Sequence, residues 1–136
     1  MSGITDLDEL LRSISPTLVE AEFVFCTVSG ALKDYVDLDP VATFIEPEGL
    51  TLVIEKSVAE RSGLSFEGSY SQITLTVHSS LEAVGLTAAV ASKLAAKGIS
   101  ANVIAAYYHD HIFVQTSKAA AALSALKELM IGVRAK

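Results

Sequence analysis

The spacing of hydrophobic residues changes twice between residues 69 and 114, from two to about four and back to two. Polar and apolar side chains alternate from Gln72 to His78, which predicts a strand with one buried and one more polar face. Leu86, Val90 and Leu94 then recur every fourth residue among alanines, which predicts a helix from Leu86 to Lys97 with one apolar stripe. Gly98 is expected to end this helix, because glycine favours the left-handed conformation that follows many helices.

The stretch ends with a predicted antiparallel hairpin. Its strands are Ile99 to Tyr108 and Ile112 to Thr116, and the polar residues His109-Asp110-His111 separate them. Ser117 is expected to cap a further helix that carries three spaced apolar residues, Leu123, Leu126 and Met130. The second half of the chain therefore has the predicted element order β-α-β-β-α.

The first half of the chain predicts a similar set of short elements. Thr5-Asp6 resembles an N-cap, and the helix after it has apolar residues at i, i+3, i+4 and i+7, namely Leu7, Leu10, Leu11 and Ile14. Pro16 ends this helix, and residues 18–28 are expected to form a long strand. Residues 31–40 have no clear period and are predicted to be a loop. Two strands, 43–45 and 50–54, flank a Pro-Glu-Gly turn, and Ser57 to Glu60 fit a capping box for a short helix that Gly63 ends.

The two halves echo each other, because a strand, a serine and a helix follow in the same order at 50–62 and at 112–130. This favours a duplicated module. The first copy starts with its helix and lacks an initial strand, so another segment must occupy that edge. Ile131-Gly132-Val133-Arg134 is a candidate strand that would cross over to the first module.

Three separated motifs resemble the ACT domain, a small regulatory module that binds amino acids. They are LEAVGLT at 81–87, LAAKGIS at 94–100 and YHDHIFV at 108–114. The arrangement is most similar to the tandem-ACT group, which includes cytosolic arginine sensors of the CASTOR type and small stand-alone bacterial proteins. The resemblance implies an α+β fold of two ferredoxin-like βαββαβ modules, 1–67 and 68–136, with antiparallel sheets and helices on one face.

The loop before Leu86 is a candidate anion site, because the N–H groups of a first helical turn attract a carboxylate. Asp110 could pair with an ammonium group, or could equally be an Asx turn former at the hairpin tip. The resemblance implies that the amino acid lies at the interface of the modules, that Val84, Gly85 and Leu86 hold its carboxylate, and that Asp110 lies near it. The expected contact residues are Ser79, Glu82, Ala83, Val84, Gly85, Leu86, Tyr108 and Asp110. Ser79, Ser80 and Glu82 could equally be helix caps, and Gly85 could serve only a tight turn. His109 and His111 depart from the family pattern and leave the identity of the amino acid open.

Other chemistries have weaker signatures. His78, His109, Asp110 and His111 could be read as metal ligands, but no second ligand pair and no zinc-type cysteine accompany them. The only cysteine, Cys26, lies in an apolar run and is expected in the core. No phosphate-binding loop, nucleophile elbow or dinucleotide motif is present, so neither an enzyme nor a cofactor is expected.

Composition narrows the range of partners. The net charge is −6 and the ten Lys and Arg residues are scattered, which argues against nucleic acid as a partner. No apolar run reaches the roughly 18 residues that span a bilayer, and the first residues lack the features of a signal peptide. A cytoplasmic protein without a membrane partner is therefore expected.

Two hypotheses for function remain at this stage. The preferred one is a regulatory protein that binds an amino acid or a similar small ligand, forms a homodimer or larger homo-oligomer, and acts on a target that the sequence does not name. The competing one is a scaffold of the same fold that binds no ligand and serves only for dimerisation. A dependence of stability on amino acids separates them.

Overall fold

A computed structural model describes residues 7–76 and 85–134 of the chain. These residues group into two compact units. The central unit is Glu20–Tyr70, and the terminal unit combines the residues up to Val19 with those from Ser71 onward. In chain order the elements are α1 (Leu7–Ser13), β1 (Pro16–Val28), β2 (Ala42–Glu46), β3 (Gly49–Glu55), α2 (Lys56–Arg61), β4 (Tyr70–Leu75), α3 (Leu86–Ala96), β5 (Asn102–Ala105), β6 (Asp110–Gln115) and α4 (Ala119–Arg134).

The central unit has the strand order β2-β3-β1, and both pairs are antiparallel. Alternate residues of β1 and β3 point to one face, where they form a hydrophobic cluster with Ala59 of α2. The members of this cluster are Val24, Cys26, Leu50, Leu52, Ile54 and Ala59. Cys26 is buried as the sequence predicts, and burial raises the pKa of its thiol. The thiol is therefore held in its protonated, unreactive form.

The terminal unit contains the first residues of β1 and the strand order β1-β4-β6-β5. Helices α1, α3 and α4 cover one face of its strands, where Ile73, Leu75, Ile112 and Val114 meet the predicted stripe of Leu86, Val90 and Leu94. All seven side chains are at most 4% exposed. The mixed α+β fold with antiparallel strands is the one that the sequence predicts.

The start of β1 supplies the strand that the terminal unit would otherwise lack. The Ser15 carbonyl accepts a hydrogen bond from the Thr76 N–H at 3.3 Å and another from the Thr76 hydroxyl at 2.9 Å. The beginning of β1 thus lies beside β4 at the place of the last strand of a βαββαβ module. The prediction that Ile131 to Arg134 form a strand that crosses over to the first module is wrong, because those residues continue helix α4.

Several predicted elements are confirmed with small shifts. Helix α1 and helix α3 have nearly the predicted bounds, and β1 begins two residues before the predicted strand. Two short 3-10 turns, Leu32–Asp34 and Val36–Leu38, occupy the predicted loop. The suggested N-cap Thr5-Asp6, and the end of the strand after Thr76, lie outside the described residues.

The two predicted serine caps are wrong. Helix α2 begins at Lys56 with Glu55 at its N-cap, and the cap has no side-chain hydrogen bond, so Ser57 lies inside the helix. Ser117 lies inside a 3-10 turn, Thr116–Lys118, that precedes α4. In both places a helical turn begins directly after the strand and before the serine, an α-helical turn at Lys56 and a 3-10 turn at Thr116.

None of the described helices is long and apolar enough to span a membrane. The predicted boundary between residues 67 and 68 and the cytoplasmic location stay predictions.

Candidate functional site

Helix α3 begins with a glycine that has a left-handed backbone conformation. Gly85 has a φ of +99° and no side-chain cap, and its carbonyl accepts the hydrogen bond of the Ala89 N–H at 2.8 Å. Glycine adopts this conformation without the steric cost that a Cβ atom imposes. Leu86, the next residue, is buried in the core and fixes the position of the first turn.

The first turn of α3 has a positive electrostatic character that its own side chains do not offset. It carries no acidic residue. The N–H groups of a first turn have no partner within the helix, and the helix dipole adds a partial positive charge there. Such a turn binds carboxylates and phosphates when an anion can reach it.

Helix α1 packs directly against this turn. A Cβ atom built on Gly85 would lie 3.0 Å from Leu7 Cδ2, which is closer than nearly all real contacts of this kind. Glycine at position 85 therefore serves two purposes, since it permits the turn and leaves room for Leu7. The predicted contact residues before it, Ser79, Glu82, Ala83 and Val84, lie outside the described residues.

Asp110 is the first residue of β6, and its side chain is buried. It pairs with Ala105 of β5 and is only 8% exposed. The prediction that Asp110 lies at the tip of the hairpin is wrong, because the turn between the two strands consists of residues 106–109. Asp110 alternates with Ile112 and Val114, which places its side chain on the face that the helices cover.

The Asp110 carboxylate has no hydrogen bond and no ion pair among residues 7–76 and 85–134. Burial raises the pKa of this carboxyl, while the neighbouring His111 and His109 act in the opposite direction. No fully enclosed side-chain oxygen or nitrogen of the described residues lacks a partner, so the remaining exposure of Asp110 includes its carboxylate oxygens. A ligand group can therefore contact the Asp110 carboxylate, although the side chain is only slightly exposed to water.

Asp110 and the first turn of α3 lie at the same end of the terminal unit. Helix α3 ends at Ala96, and a short connection leads to Asn102 at the start of β5. β5 then runs back to Ala105, which pairs with Asp110. The topology thus places Gly85, Leu86 and Asp110 at one end of the terminal unit.

Tyr108 occupies the connection between β5 and β6. Its side chain is 62% exposed, and its ring packs edge to face against Tyr107 with 4.9 Å between the ring centroids. This exposed ring, two residues before Asp110 in the chain, offers a surface that a ligand could cover.

A polar cluster on the opposite face of the strands escaped the sequence analysis. His111 Nδ1 lies 3.0 Å from Thr74 Oγ1 and 3.2 Å from Gln72 Nε2, and these two atoms are 3.1 Å apart. Burial lowers the pKa of His111, and so does the positive charge of a protonated His109, although Asp110 acts in the opposite direction. The alternation of Gln72 and Thr74 was the available signal, but only the fold shows that His111 stands beside them.

The surroundings of His111 are relevant to the alternative hypothesis of a metal site. The described residues contain no group of three or more His, Cys, Asp and Glu side chains that could hold a metal ion. His78, a predicted member of such a group, lies outside the described residues.

The central unit has a cavity of about 320 Å³ beside its own glycine turn. Gly30 has a φ of +106°, close to the +99° of Gly85. Gly30 lies just after the end of strand β1, whereas Gly85 lies just before helix α3. Leu32, Ile45 and Leu50 contribute the apolar wall of the cavity, and Glu46 contributes a carboxylate. The sequence carries no signal for this cavity, because residues 31–40 have no hydrophobic period and were predicted to be a loop, whereas the structure has 3-10 turns there.

Comparison with known proteins identifies two matches to families described as ACT domain, at residues 2–71 and 67–128. Among solved structures, a Vibrio cholerae protein of unknown function, described as a possible transport protein, is 63% identical. The alignment covers 95% of this chain and 99% of that one, with a TM-score of 0.85. Comparison with curated proteins gives no match.

Two more distant structures share the fold. The ligand-free regulatory subunit of aspartate kinase from Thermus thermophilus has a TM-score of 0.59 at 9% identity, over 86% of this chain and 98% of that one. Aspartokinase III from E. coli, in complex with aspartate and ADP, has a TM-score of 0.64 at 9% identity. That alignment covers 86% of this chain and 33% of the kinase.

Proposed function

Because this chain belongs to the ACT-domain family, we propose that it is a regulatory protein that binds an amino acid at the end of the terminal unit where α3 begins. The observation that carries the proposal is the buried Asp110 carboxylate, which has no partner among the described residues and lies at the same end as an uncapped helix N-terminus.

The two groups suit the two charges of an amino acid. The N–H groups of the first turn of α3 would hold the α-carboxylate, and Asp110 would accept hydrogen bonds from the α-ammonium group or from a cationic side chain. An ammonium partner also offsets the cost of keeping a carboxylate buried, since isolated charges are strongly destabilised inside proteins. The site therefore selects a ligand that carries both charges over one that carries a single charge.

The regulatory role rests on the family. One similar structure named above is the regulatory subunit of an aspartate kinase, and another, aspartokinase III, was solved with aspartate and ADP. A change in another protein would be the output of binding. The location of the ligand at the interface of the two modules stays a prediction, as does the identity of the regulated target.

A thermal-shift panel of the standard amino acids tests the proposal. A ligand at 100 times its dissociation constant stabilises the folded state by about 2.7 kcal/mol. We expect at least one amino acid to raise the melting temperature by several degrees, because about 1 kcal/mol corresponds to roughly 3–5 °C in a domain of this size.

Two control ligands test whether binding requires both charges of the amino acid. The decarboxylated amine and the deaminated acid of the best amino acid should each give a much smaller shift, since each lacks one of the two charges. If no amino acid changes the melting temperature at millimolar concentration, the scaffold hypothesis is favoured and the binding proposal fails.

A further inference from the structure

The polar cluster around His111 has no part in the proposed ligand site. It lies on the face of the terminal unit's strands that is opposite to the helices, and it joins β6 to the neighbouring strand β4. His111 Nδ1 is in contact with both Thr74 Oγ1, at 3.0 Å, and Gln72 Nε2, at 3.2 Å. Such contacts restrict which nitrogen of the ring can carry the proton.

The direction of the hydrogen bonds fixes the position of the imidazole proton. The Gln72 amide nitrogen can only donate, and its two hydrogens point to Thr74 Oγ1 and to His111 Nδ1. Nδ1 must then accept, and the Thr74 hydroxyl donates to the same atom. An accepting Nδ1 exists only in the neutral ring that has its proton on Nε2.

Protonation of His111 would disrupt this arrangement. Nδ1 would carry a hydrogen that faces the N–H of Gln72, so that two donors would meet. The Thr74 hydroxyl can accept from the new N–H, but the Gln72 amide must turn to present its oxygen. Burial and a protonated His109 also lower the pKa of His111, although Asp110 acts in the opposite direction. The ring is therefore neutral at neutral pH and takes up a proton below 6.5, the reference value of a histidine.

The imidazole has charged neighbours only within its own segment of the described chain. They are His109 and Asp110, which directly precede it. The neighbouring strands contribute uncharged side chains, from Gln72 and Thr74 of β4 and from Ile104 of β5. A proton on the ring would therefore add an uncompensated positive charge next to the residue that the proposed ligand site uses.

We propose that His111, Gln72 and Thr74 form a proton-sensitive switch that weakens binding of the amino acid at Asp110 when His111 is protonated. The proposal rests on the proposed function, because the affected contact is the one between the ammonium group of the ligand and the Asp110 carboxylate. Consecutive residues of a strand point to opposite faces, so the imidazolium stays outside the ligand site and acts through its charge. A positive charge one residue from Asp110 repels the ammonium group and competes with it for the carboxylate.

This repulsion has a reciprocal effect on the histidine. Full protonation of His111 is expected to raise the dissociation constant of the amino acid about three- to tenfold, as for two like charges separated by a strand. Because linkage is reciprocal, the bound amino acid should lower the pKa of His111 by the corresponding amount. A side chain that only joins β4 to β6 would show neither effect.

Calorimetric titration between about pH 8 and pH 5 tests the coupling, with the amino acid that gives the largest thermal shift. His111→Gln keeps a neutral polar side chain, so it should match the parent at high pH and bind more tightly than the parent at low pH. Protonation of Asp110, whose pKa is raised by burial, and of His109 weakens binding in both proteins and cancels in the comparison. Equal pH dependence of the two proteins would overturn the switch and leave the proposed function in place.

NMR spectra of the imidazole nitrogens test the cluster itself, even if His111→Gln does not fold. We expect the proton of His111 on Nε2 at neutral pH and a lower pKa in the saturated protein than in the free protein. Gln72→Met, which removes the amide donor without adding charge, should raise the pKa of His111. A proton on Nδ1, or a pKa that the ligand does not change, would contradict the switch. If no amino acid binds at any pH, the proposed function fails, and the switch fails with it.

Discussion

Replacement of Asp110 by asparagine is expected to raise the stability of the protein and, at the same time, to weaken its affinity for the amino acid. The buried carboxylate has a raised pKa because burial disfavours its charge. A neutral amide of nearly the same shape avoids the cost of burying that charge. We expect a gain of about 1 kcal/mol at pH 7, or roughly 3–5 °C in melting temperature.

The opposite effect on affinity has a separate cause. A charge-assisted hydrogen bond from an ammonium group to Asp110 contributes about 1.5–3 kcal/mol, so that its loss should raise the dissociation constant about 10- to 100-fold. Stability and binding that change in opposite directions are typical of a residue that is retained for function at a cost to the fold. Calorimetric titration and a thermal melt of the same two proteins measure both quantities.

The difference in stability between Asp110→Asn and the parent protein is expected to change with pH in one direction. A raised pKa in the folded state means that Asp110 takes up its proton at a higher pH in the folded protein than in the unfolded chain. The parent therefore recovers stability relative to Asp110→Asn as the pH falls through the raised pKa towards 3.8, the reference value of an aspartate. The advantage of the variant should be largest at neutral pH and should shrink across that window.

Glu128→Gln is the matched control for this substitution. Glu128 is exposed and lies 3.1 Å from Lys93 Nζ and 3.3 Å from Lys97 Nζ, and the hydrogen bonds from these lysines lower the pKa of its carboxyl. Removal of this charge should lower stability slightly, and it should leave ligand affinity unchanged. If Asp110→Asn destabilises the protein as well, the carboxylate has a stabilising partner and is a structural residue.

Replacement of Gly85 by alanine is expected to lower the free energy of unfolding by about 1–3 kcal/mol, since non-glycine residues are strained at positive φ. The added Cβ atom also comes within 3.0 Å of Leu7 Cδ2, so helix α1 must shift or the turn must open. Chemical denaturation of the variant measures the loss, and the midpoint should fall without a change in slope.

Two further variants distinguish the cost of backbone strain at Gly85 from the cost of the contact between the added Cβ atom and Leu7. Gly98 has a φ of +74°, and a Cβ atom there would meet nothing within 4 Å, so Gly98→Ala reports backbone strain alone. Gly85→Ala should cost more than Gly98→Ala, and the addition of Leu7→Ala should remove part of that excess. If the penalty of Gly85→Ala is the same with and without Leu7, then α1 does not rest on the turn.

The helix α3 and the core strands could be predicted from the sequence because their signals are local. Leu86, Val90 and Leu94 recur at the helical period, and all three are buried in one cluster. The amphipathic pattern from Leu7 to Ile14 similarly predicts α1. A hydrophobic period depends only on the geometry of one element, so no knowledge of its neighbours is needed.

The features that the sequence could not predict depend on neighbours distant in the chain. Ile131 to Arg134 were predicted to form a strand at the edge of the first module, but they continue helix α4, and the start of β1 supplies the last strand of the terminal unit. The polar run His109-Asp110-His111 predicts a hairpin tip, but β6 begins at Asp110, and the carboxylate lies on the face that the helices cover. Whether a charged side chain is buried depends on the whole fold, so it cannot be predicted from the neighbouring sequence alone.

The most direct test of the account is a titration of the isotopically labelled protein, followed by two-dimensional amide spectra, with the amino acid that gives the largest thermal shift. We expect saturable changes at the amides of Leu86, Thr87 and Ala88, in the first turn of α3, and at Asp110, with the same dissociation constant for all four. Changes confined to Gly30, Ala31 and Gly49 beside the cavity of the central unit, with none in the first turn of α3, would contradict it.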